Sequence, residues 1–297
     1  MADTACLLYF DDEKAPALRL AAAAGMDALA VRRHRFPDGE LKLRLPARLA
    51  PRVAMLRSLD HPDGKLVELL LCASAARGLG ASHLTLVAPY LAYMRQDTAF
   101  EPGEAVSQRI VGRFIASLFD ALVTVDPHLH RTATLQEAVP VRQAIALSGA
   151  PLLGDWIAAR LPQALLVGPD GESLRWVAQA AARHQLGYAV CSKRRHGDLS
   201  VEIELPSVEV RGRAVVLVDD VASSGRTLAR AAQQLLAAGA ASVDVAVTHA
   251  LFAGDALAFM RQAGIREVWS TDCIAHPSNV VDMAPPLAHA LRSLPGT

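Results

Sequence analysis

Short runs of apolar, often β-branched residues recur along the chain, and each is followed by a longer stretch with apolar residues at helical spacing. The clearest strands are predicted at residues 83–90, 164–170, 214–220 and 242–251, and the helices that follow them at 107–119, 173–185, 226–239 and 255–264. Strands that alternate with helices in this way build parallel sheets covered by helices on both faces. The pattern therefore predicts an α/β protein.

The alternation divides into two series, which predicts two domains of similar architecture. The first series runs from a strand at 6–10 to a strand at 121–128, and a turn-rich stretch at 147–155 precedes the second. We place the domains at 1–147 and 148–297, with the last helix free to pack back onto the first domain. Parallel sheets bind ligands at the carboxyl ends of their strands, so we expect a site in a cleft shared by the two domains.

Composition narrows the range of partners. The 297 residues are 52% hydrophobic, and 30 Lys and Arg balance 30 Asp and Glu. A chain without net charge has no overall field that favours nucleic acid or an anionic membrane, so neither is expected as a partner and any anion must be bound locally. The four cysteines are widely spaced, and the sequence shows neither a leader-like start nor an apolar run of membrane-spanning length. We therefore expect a cytoplasmic location.

The stretch VVLVDDVASSGRTLARAA, residues 215–232, is the strongest candidate for a binding site. Its apolar strand ends in Asp219 and Asp220, and buried carboxylates need a partner. A short loop then leads into a helix, so backbone N–H groups and the helix N-terminus converge on one point that suits a phosphate. The two acids can accept hydrogen bonds from nearby sugar hydroxyls, which disfavours an ordinary serine-capped turn. The loop residues are Ser223, Ser224, Gly225, Arg226 and Thr227.

Two stretches of the first domain carry further candidates. Residues 35–46, RFPDGELKLRLP, are typical of a β-hairpin with Asp38 and Gly39 at its turn. Arg95, Gln96 and Asp97 follow the strand predicted at 83–90, in a loop position that suits binding of an anion or a base. A solvated charged loop is the alternative reading of this second stretch.

Histidines near the end of the strand at 121–128 raise the question of a metal. Asp126, His128 and His130 alternate, so they point the same way in an extended chain. Zinc would need a third nitrogen or sulfur ligand at suitable spacing, and none is evident. Magnesium on a polyphosphate fits a histidine and a carboxylate better, with Asp170 as the carboxylate. The alternative for Asp170 is a helix N-cap.

Taken together, these stretches resemble the ribose-phosphate diphosphokinase family, the phosphoribosyl diphosphate (PRPP) synthetases. The resemblance covers nearly the whole chain in the family's order and rests on FPDGE, YMRQD, DPHLH, VGPD, SKRR, DDVASSGRT, IAHPSN and MAPPLAHAL. DDVASSGRT also resembles the PRPP-binding loop of the type I phosphoribosyltransferases. The resemblance implies two tandem phosphoribosyltransferase-like domains, each with a mostly parallel sheet flanked by helices. The first would bind nucleotide and mediate oligomerisation, and the second would bind ribose 5-phosphate.

The resemblance also implies a reaction and its participants. In this family the β,γ-diphosphoryl group of ATP is transferred to the C1 hydroxyl of ribose 5-phosphate with Mg²⁺, giving PRPP and AMP. It implies that ribose 5-phosphate is bound by the two acids at 219–220 and the loop at 223–227, and that His128 and Asp170 bind the metal. Lys193 and Arg195, on a flap, would act on the transferring group as catalytic residues.

The same resemblance implies that ATP is bound across two subunits. Arg95 and Gln96 of one subunit would hold the nucleotide. The turn of a neighbouring subunit, formed by Asp38, Gly39 and Glu40, would read the adenine. A site completed in this way requires a homo-oligomer.

Two departures from the family pattern leave alternatives open. The phosphate loop carries Arg226 and serines where Thr-Gly-Gly or Thr-Ala-Gly is common, and Glu172 follows Asp170 where many members have His-Gly-Gly. One alternative is a regulatory homologue that does not turn over, and a second is a phosphoribosyltransferase that consumes PRPP. The second leaves the motifs of the first domain unexplained. Donors other than ATP also remain open.

Overall fold

The computed structural model describes residues 5–196 and 200–294 of the chain, with side chains throughout except at 193–203. The chain forms two compact units, one comprising the described residues up to Leu147 together with those from Met283 onward, the other Ser148–Asp282. Within the described residues, no helix combines the length and the apolar character needed to cross a membrane.

The first unit is an α/β unit whose strands and helices alternate. Its strands are β1 (Ala5–Phe10), β2 (Asp27–Arg35), β3 (Leu41–Arg44), β4 (Arg52–Leu56), β5 (His83–Ala88), β6 (Ala121–Val125) and β7 (Gln143–Leu147). Its helices are α1 (Lys14–Ala24), α2 (Pro62–Gly78), α3 (Ser107–Leu118) and α4 (Leu135–Ala138), and a short 3₁₀ helix covers Asp11–Glu13.

These seven strands form one sheet in the order β3-β2-β1-β4-β5-β6-β7. Every neighbouring pair is parallel except β2 and β3, which form an antiparallel hairpin at the edge. The chain leaves β1 towards β2 on one side and later adds β4 on the other. The strand order therefore reverses between β1 and β4, the position at which open α/β sheets form a crevice.

The central strands β1, β4, β5 and β6 are largely apolar and buried, as expected for strands covered by helices on both faces. Leu8, Met55, Leu86 and Leu122, on four adjacent strands, are fully buried in one core. The last helix of the chain, Ala284–Ser293, also belongs to this unit, where it packs against α1 and Arg292 Nη1 donates to Ala23 O at 2.5 Å.

The second unit repeats the alternation. Its strands are β8 (Leu165–Gly168), β9 (Gly187–Val190), β10 (Ser192–His196), β11 (Ser200–Glu204), β12 (Ala214–Ala222), β13 (Ser242–Ala250), β14 (Ile265–Thr271) and β15 (Asn279–Val281). Its helices are α5 (Ala150–Arg160), α6 (Leu174–Ala182), α7 (Arg226–Ala237) and α8 (Ala256–Gln262), and the final helix, Ala284–Ser293 of the first unit, is α9.

Six of these strands form a parallel sheet in the order β15-β14-β13-β12-β8-β9, and β10 and β11 form a separate antiparallel hairpin. The chain leaves β8 towards β9 and later adds β12 on the other side. The strand order thus reverses between β8 and β12, which places a crevice at the carboxyl ends of these two strands. Val167, Leu217 and Val245 form part of the core beneath it.

The two parallel-rich sheets confirm the α/β fold class expected from the sequence. The predicted helix at 226–239 is Arg226–Ala237, and the predicted strand at 83–90 is His83–Ala88. One boundary differs in a way that matters for the site. The strand predicted at 214–220 continues to Ala222, because Val221 and Ala222 still pair with β13, so the two acids lie within the strand rather than at its end.

Candidate active site

The two acids of β12 lie at the strand-order reversal of the second unit. Asp220 is buried, with 3% of its surface exposed, and Asp219 is half-buried. The backbone N–H of Asp220 donates to Asp219 Oδ1 at 3.0 Å, which fixes the Asp219 carboxylate beside its neighbour. Two carboxylates held this close at a crevice favour a ligand rich in hydroxyl donors or a cation.

The electrostatics of Asp219 support this interpretation. Burial raises the pKa of Asp219 well above its usual range, and the charges of Asp220 and Asp170 raise it further. Asp170 follows β8, the strand next to β12, so three carboxyl groups gather at the crevice. Like charges in this arrangement repel one another until a cation or hydrogen-bond donors compensate them.

The backbone carbonyl groups at the start of the loop after β12 accept hydrogen bonds from the segment that follows β13. Phe252 N donates to Ala222 O at 2.9 Å, and Ala253 N donates to Ser223 O at 3.0 Å. The loop then enters α7 at Arg226, and the first N–H groups of a helix have no partner within the helix. Because Gly225 has no side chain that could cap them, these N–H groups are available to an anion.

Gly225 is the one position in this loop that demands glycine. Its φ is +69°, in the left-handed region, and a Cβ there would lie 2.9 Å from Met260 Cγ and 3.1 Å from Met260 Sδ. The loop therefore packs closely against α8. Beside it, Ser224 and Arg226 are exposed, while Ser223 and Thr227 are half-buried. The loop has the backbone form and the hydroxyl groups that a phosphate site needs.

Asp170 is the helix N-cap that its sequence allowed, and its metal-binding role stays a prediction. Its carboxylate accepts a hydrogen bond from Glu172 N at 3.0 Å, and Ser173 Oγ donates to Asp170 O at 2.5 Å, so it caps the 3₁₀ helix Gly171–Ser173. It also lies close enough to Asp219 to raise that residue's pKa. Capping holds Asp170 in place, which is compatible with a second role towards a cation.

The predicted metal histidine, His128, lies beyond β6 in the first unit. Its ring stands at 86° to that of His130, with 3.9 Å between the ring centroids. No group of three or more His, Cys, Asp or Glu side chains that could hold a metal ion occurs among the described residues. The oxygen-rich crevice of the second unit nevertheless fits Mg²⁺, which usually keeps water ligands and binds through one or two carboxylates and substrate phosphates.

The loop that carries Arg95 and Gln96 is fixed from within. Asp97, the next residue, is buried and accepts hydrogen bonds from Arg131 N at 3.0 Å and Arg131 Nη1 at 2.9 Å. Burial alone would raise the pKa of Asp97, but these hydrogen bonds hold it below its usual value. Gln96 Oε1 accepts from Ser107 Oγ at 3.2 Å, and Arg95 is exposed. The sequence grouped Asp97 with its two neighbours as ligand-binding, and its contact with Arg131 could not be predicted because the two residues are 34 positions apart.

The predicted hairpin is present between β2 and β3. Phe36 N donates to Glu40 O at 2.8 Å, and Glu40 N donates to Asp38 Oδ1 at 3.1 Å. Gly39 closes the turn with φ +93°. The turn residues are exposed, and an open pocket of about 360 Å³ lies between Glu40 and Val67 of α2.

Lys193 and Arg195 lie on β10, where their backbones pair with Ile203 and Val201 of β11. Their side chains are outside the described residues. Their catalytic assignment therefore stays a prediction, as do the roles assigned to the other site residues.

Two features define the class of protein. Each unit has a parallel sheet flanked by helices, and the second carries paired acids followed by a phosphate-type loop at the strand-order reversal. A solved structure of phosphoribosylpyrophosphate synthetase from Mycobacterium smegmatis has the same fold, with a TM-score of 0.84, 24% identity and coverage of 98% of this chain and 99% of that one. The molecule is thus an α/β protein of two units that shares the fold of that structure.

Sequence comparisons give the family. Residues 6–118 match the model for the N-terminal domain of ribose phosphate pyrophosphokinase, and residues 153–283 match the phosphoribosyl transferase domain. The ribose-phosphate pyrophosphokinase of Methanopyrus kandleri is 36% identical over 94% of this chain and 95% of its own. That of Thermococcus kodakarensis is 34% identical over 89% and 92%. The chain belongs to the ribose-phosphate pyrophosphokinase family.

Proposed function

We propose that this protein is a ribose-phosphate diphosphokinase that transfers the β,γ-diphosphoryl group of ATP to ribose 5-phosphate. The observation that carries the proposal is the similarity to curated pyrophosphokinases across both units, over 94% of the chain. A phosphoribosyltransferase that consumes PRPP would account for the loop at 223–227 alone. It would leave unexplained the match of residues 6–118 to the N-terminal pyrophosphokinase domain.

The reaction forms one P–O bond and breaks another. The C1 hydroxyl oxygen of ribose 5-phosphate forms a bond to the β-phosphorus of ATP, and the bond from that phosphorus to the α,β-bridging oxygen breaks. AMP leaves with the bridging oxygen, and the hydroxyl proton is released. Charge develops on the transferring group and on the departing AMP, so catalysis consists mainly of positioning and charge neutralisation.

The sugar substrate fits the crevice of the second unit. The N–H groups and hydroxyls of the 223–227 loop would hold the 5-phosphate, and Asp219 and Asp220 would accept hydrogen bonds from the ribose hydroxyls. This placement fixes the C1 hydroxyl relative to the loop, which lowers the entropic part of the barrier.

Mg²⁺ is the cofactor we propose, with His128 and Asp170 as its protein ligands, directly or through water. Bound Mg²⁺ would neutralise charge on the polyphosphate. Lys193 and Arg195 would add positive charge beside the transferring group. Arg95 and Gln96 would hold the nucleotide on the loop that Asp97 anchors.

We also propose a homo-oligomer in which the turn at 38–40 reaches a neighbouring subunit's ATP site. Its exposure and its defined turn geometry support a role outside its own sheet. Co-expression of a D38N/E40Q chain with a K193A chain tests this directly. Mixed oligomers should recover activity that each variant lacks alone, whereas a site built within one subunit gives no recovery.

A cytoplasmic location is proposed on the chemistry of the cysteines. Cys6, Cys72, Cys191 and Cys273 are all buried, and none of them forms a disulfide. Cysteines that form no disulfide are typical of a reducing compartment.

The activity is tested by incubating the protein with ribose 5-phosphate, Mg²⁺ and each nucleoside triphosphate in turn, with omission of the sugar as the blank. Sugar-dependent AMP and PRPP from ATP support the proposal. A different preferred nucleotide would revise the donor alone. No sugar-dependent nucleoside monophosphate from any donor would favour a regulatory homologue that does not turn over.

A further inference from the structure

The crevice of the first unit, between β1 and β4, is filled by charged side chains. Arg57 follows β4 and has 1% of its side chain exposed, although a buried guanidinium is costly without partners. Its Nη1 lies 2.8 Å from Asp12 Oδ2 and 2.8 Å from Glu13 Oε2, both directly after β1. Its Nη2 contacts Glu68 of α2. In this crevice the chain supplies the cation itself.

The network reaches the hairpin through Arg33. Arg33 Nη1 lies 2.9 Å from Glu68 Oε1, and its Nη2 lies 2.8 Å from Asp12 Oδ1. Arg33 is on β2, three positions before Phe36, where the turn begins. Two of the three carboxylates that hold Arg57 therefore also hold the strand that presents Asp38 and Glu40.

The same network reaches the loop that carries Arg95 and Gln96. Arg57 N donates to Val87 O at 2.9 Å, and Leu59 N donates to Tyr90 O at 2.9 Å. Tyr90 N in turn donates to Ser58 Oγ at 3.2 Å. The segment that ends β4 is thus hydrogen-bonded to the start of the nucleotide loop.

Helix α2 adds a second connection. Tyr93, in the nucleotide loop, donates a hydrogen bond from its hydroxyl to Asp63 at the start of α2. Glu68, one and a half turns further along α2, holds Arg33 and Arg57. Two routes of direct contacts therefore join the loop and the hairpin.

We infer that Arg57 and Arg33 are positioning residues for the nucleotide, which fix the 36–40 turn and the 90–97 loop relative to each other without touching ATP. The inference rests on the proposed function, because it takes both segments to be nucleotide-binding. Under the proposed oligomer the turn serves the neighbouring subunit. The network then connects the ATP sites of adjacent subunits through one rigid sheet.

Arg33 gives the cleaner test. Arg57→Gln would leave Glu13, Glu68 and Asp12 without their central cation, and loss of one partner from a buried charge cluster is strongly destabilising. Arg33 is 31% exposed, and Glu68 keeps its contact with Arg57 when Arg33 is replaced. Arg33→Gln therefore separates the hairpin from the network while the buried cluster stays paired.

Arg32→Gln is the matched control. Arg32 is the preceding residue of β2, is exposed, and pairs across the hairpin with Arg44. Successive side chains of a strand point to opposite faces, so Arg32 faces away from the network. The two variants lose the same charge from the same strand.

The experiment measures kcat, KM for ATP, KM for ribose 5-phosphate and the melting temperature of the full-length protein. R33Q should raise KM for ATP roughly tenfold with little change in kcat or in KM for the sugar, because it removes positioning that acts on nucleotide binding alone. R33K, which keeps a cation at this position, should restore most of the loss. R32Q should match the wild type.

Two results would overturn the inference. One is an R33Q protein whose KM for ATP equals that of R32Q. The other is an R33Q protein in which KM for the sugar and KM for ATP rise together and the melting temperature falls. That combination would indicate a merely structural role. Direct titration with MgATP by calorimetry distinguishes this inference from the proposed reaction. If the wild type shows no turnover, the proposed reaction is wrong. The affinities of R33Q and R32Q for MgATP still test the inference, because calorimetry measures binding without turnover.

Discussion

Gly225 combines a left-handed backbone conformation with a close packing contact in the loop assigned to the 5-phosphate. Its φ of +69° is costly for any other residue, by about 1–2 kcal/mol for alanine. A Cβ there would also approach Met260 Cγ to 2.9 Å, and Met260 is fully buried. Forcing a methyl group into such a contact costs about 1–3 kcal/mol more. We therefore expect Gly225→Ala to lose about 2–5 kcal/mol in total, by adding the two ranges.

Gly212→Ala separates the two contributions. Gly212 has φ +70° in the same unit, and a Cβ there would meet nothing within 4 Å. It shares the backbone penalty and lacks the contact with α8. The melting temperature of G225A should be lower than that of G212A, by about 2–4 °C for each kcal/mol by which their free energies of unfolding differ.

The contact with Met260 also predicts a functional effect. Relief of the clash must move the buried Met260 side chain, α8 or the loop, and the loop carries the N–H groups assigned to the 5-phosphate. KM for ribose 5-phosphate should therefore rise roughly tenfold in G225A and stay unchanged in G212A. Met260→Ala in the G225A background should recover part of the stability, since residues in contact are not additive. Equal melting temperatures and equal sugar KM values for the two glycine variants would refute the reasoning.

Three further predictions concern charged residues of the site. Because the pKa of Asp219 is higher in the folded protein than in the unfolded chain, the folded state loses stability as the pH rises through that folded pKa. Asp219→Asn should therefore raise the melting temperature of the ligand-free protein at neutral pH while it raises KM for ribose 5-phosphate, and a lower melting temperature would contradict this. Lys193→Ala should reduce turnover by orders of magnitude and leave the Kd of ribose 5-phosphate nearly unchanged, because its charge acts on the transition state; a parallel loss of binding argues against that role. Asp97→Asn should weaken the contact with Arg131 and raise KM for ATP without a matching change in KM for ribose 5-phosphate. Equal increases in the two KM values would contradict a role of this loop in nucleotide binding alone.

Much of the fold follows from local pattern. The central strands of both sheets are largely apolar because both faces are covered, and each helix has its own periodicity, so the alternation is visible without distant contacts. The shortest strands are less visible. β15 is only three residues long, and it exists because Asn279 and Val281 pair with β14.

The candidate site divides in the same way. Asp219 and Asp220 were identifiable because two charged carboxylates in an otherwise apolar strand are costly to bury without a ligand or partner. Arg57, in AMLRS, shows the same local conflict after β4. Its partners could not be predicted, because Asp12 is 45 residues away and only the fold brings the two together. The roles of Lys193 and Arg195 come from the family resemblance rather than from any physical signal in their own segment.

The central claim is diphosphoryl transfer from ATP to ribose 5-phosphate, and isotopic labelling tests it most directly. The protein would be incubated with Mg²⁺, ribose 5-phosphate and ATP labelled in parallel reactions at the α- or the γ-phosphate. The account predicts that the γ-label appears in PRPP and the α-label in AMP, in equal amounts and only when the sugar is present. A γ-label released as inorganic phosphate, or an α-label recovered in ADP, would contradict it.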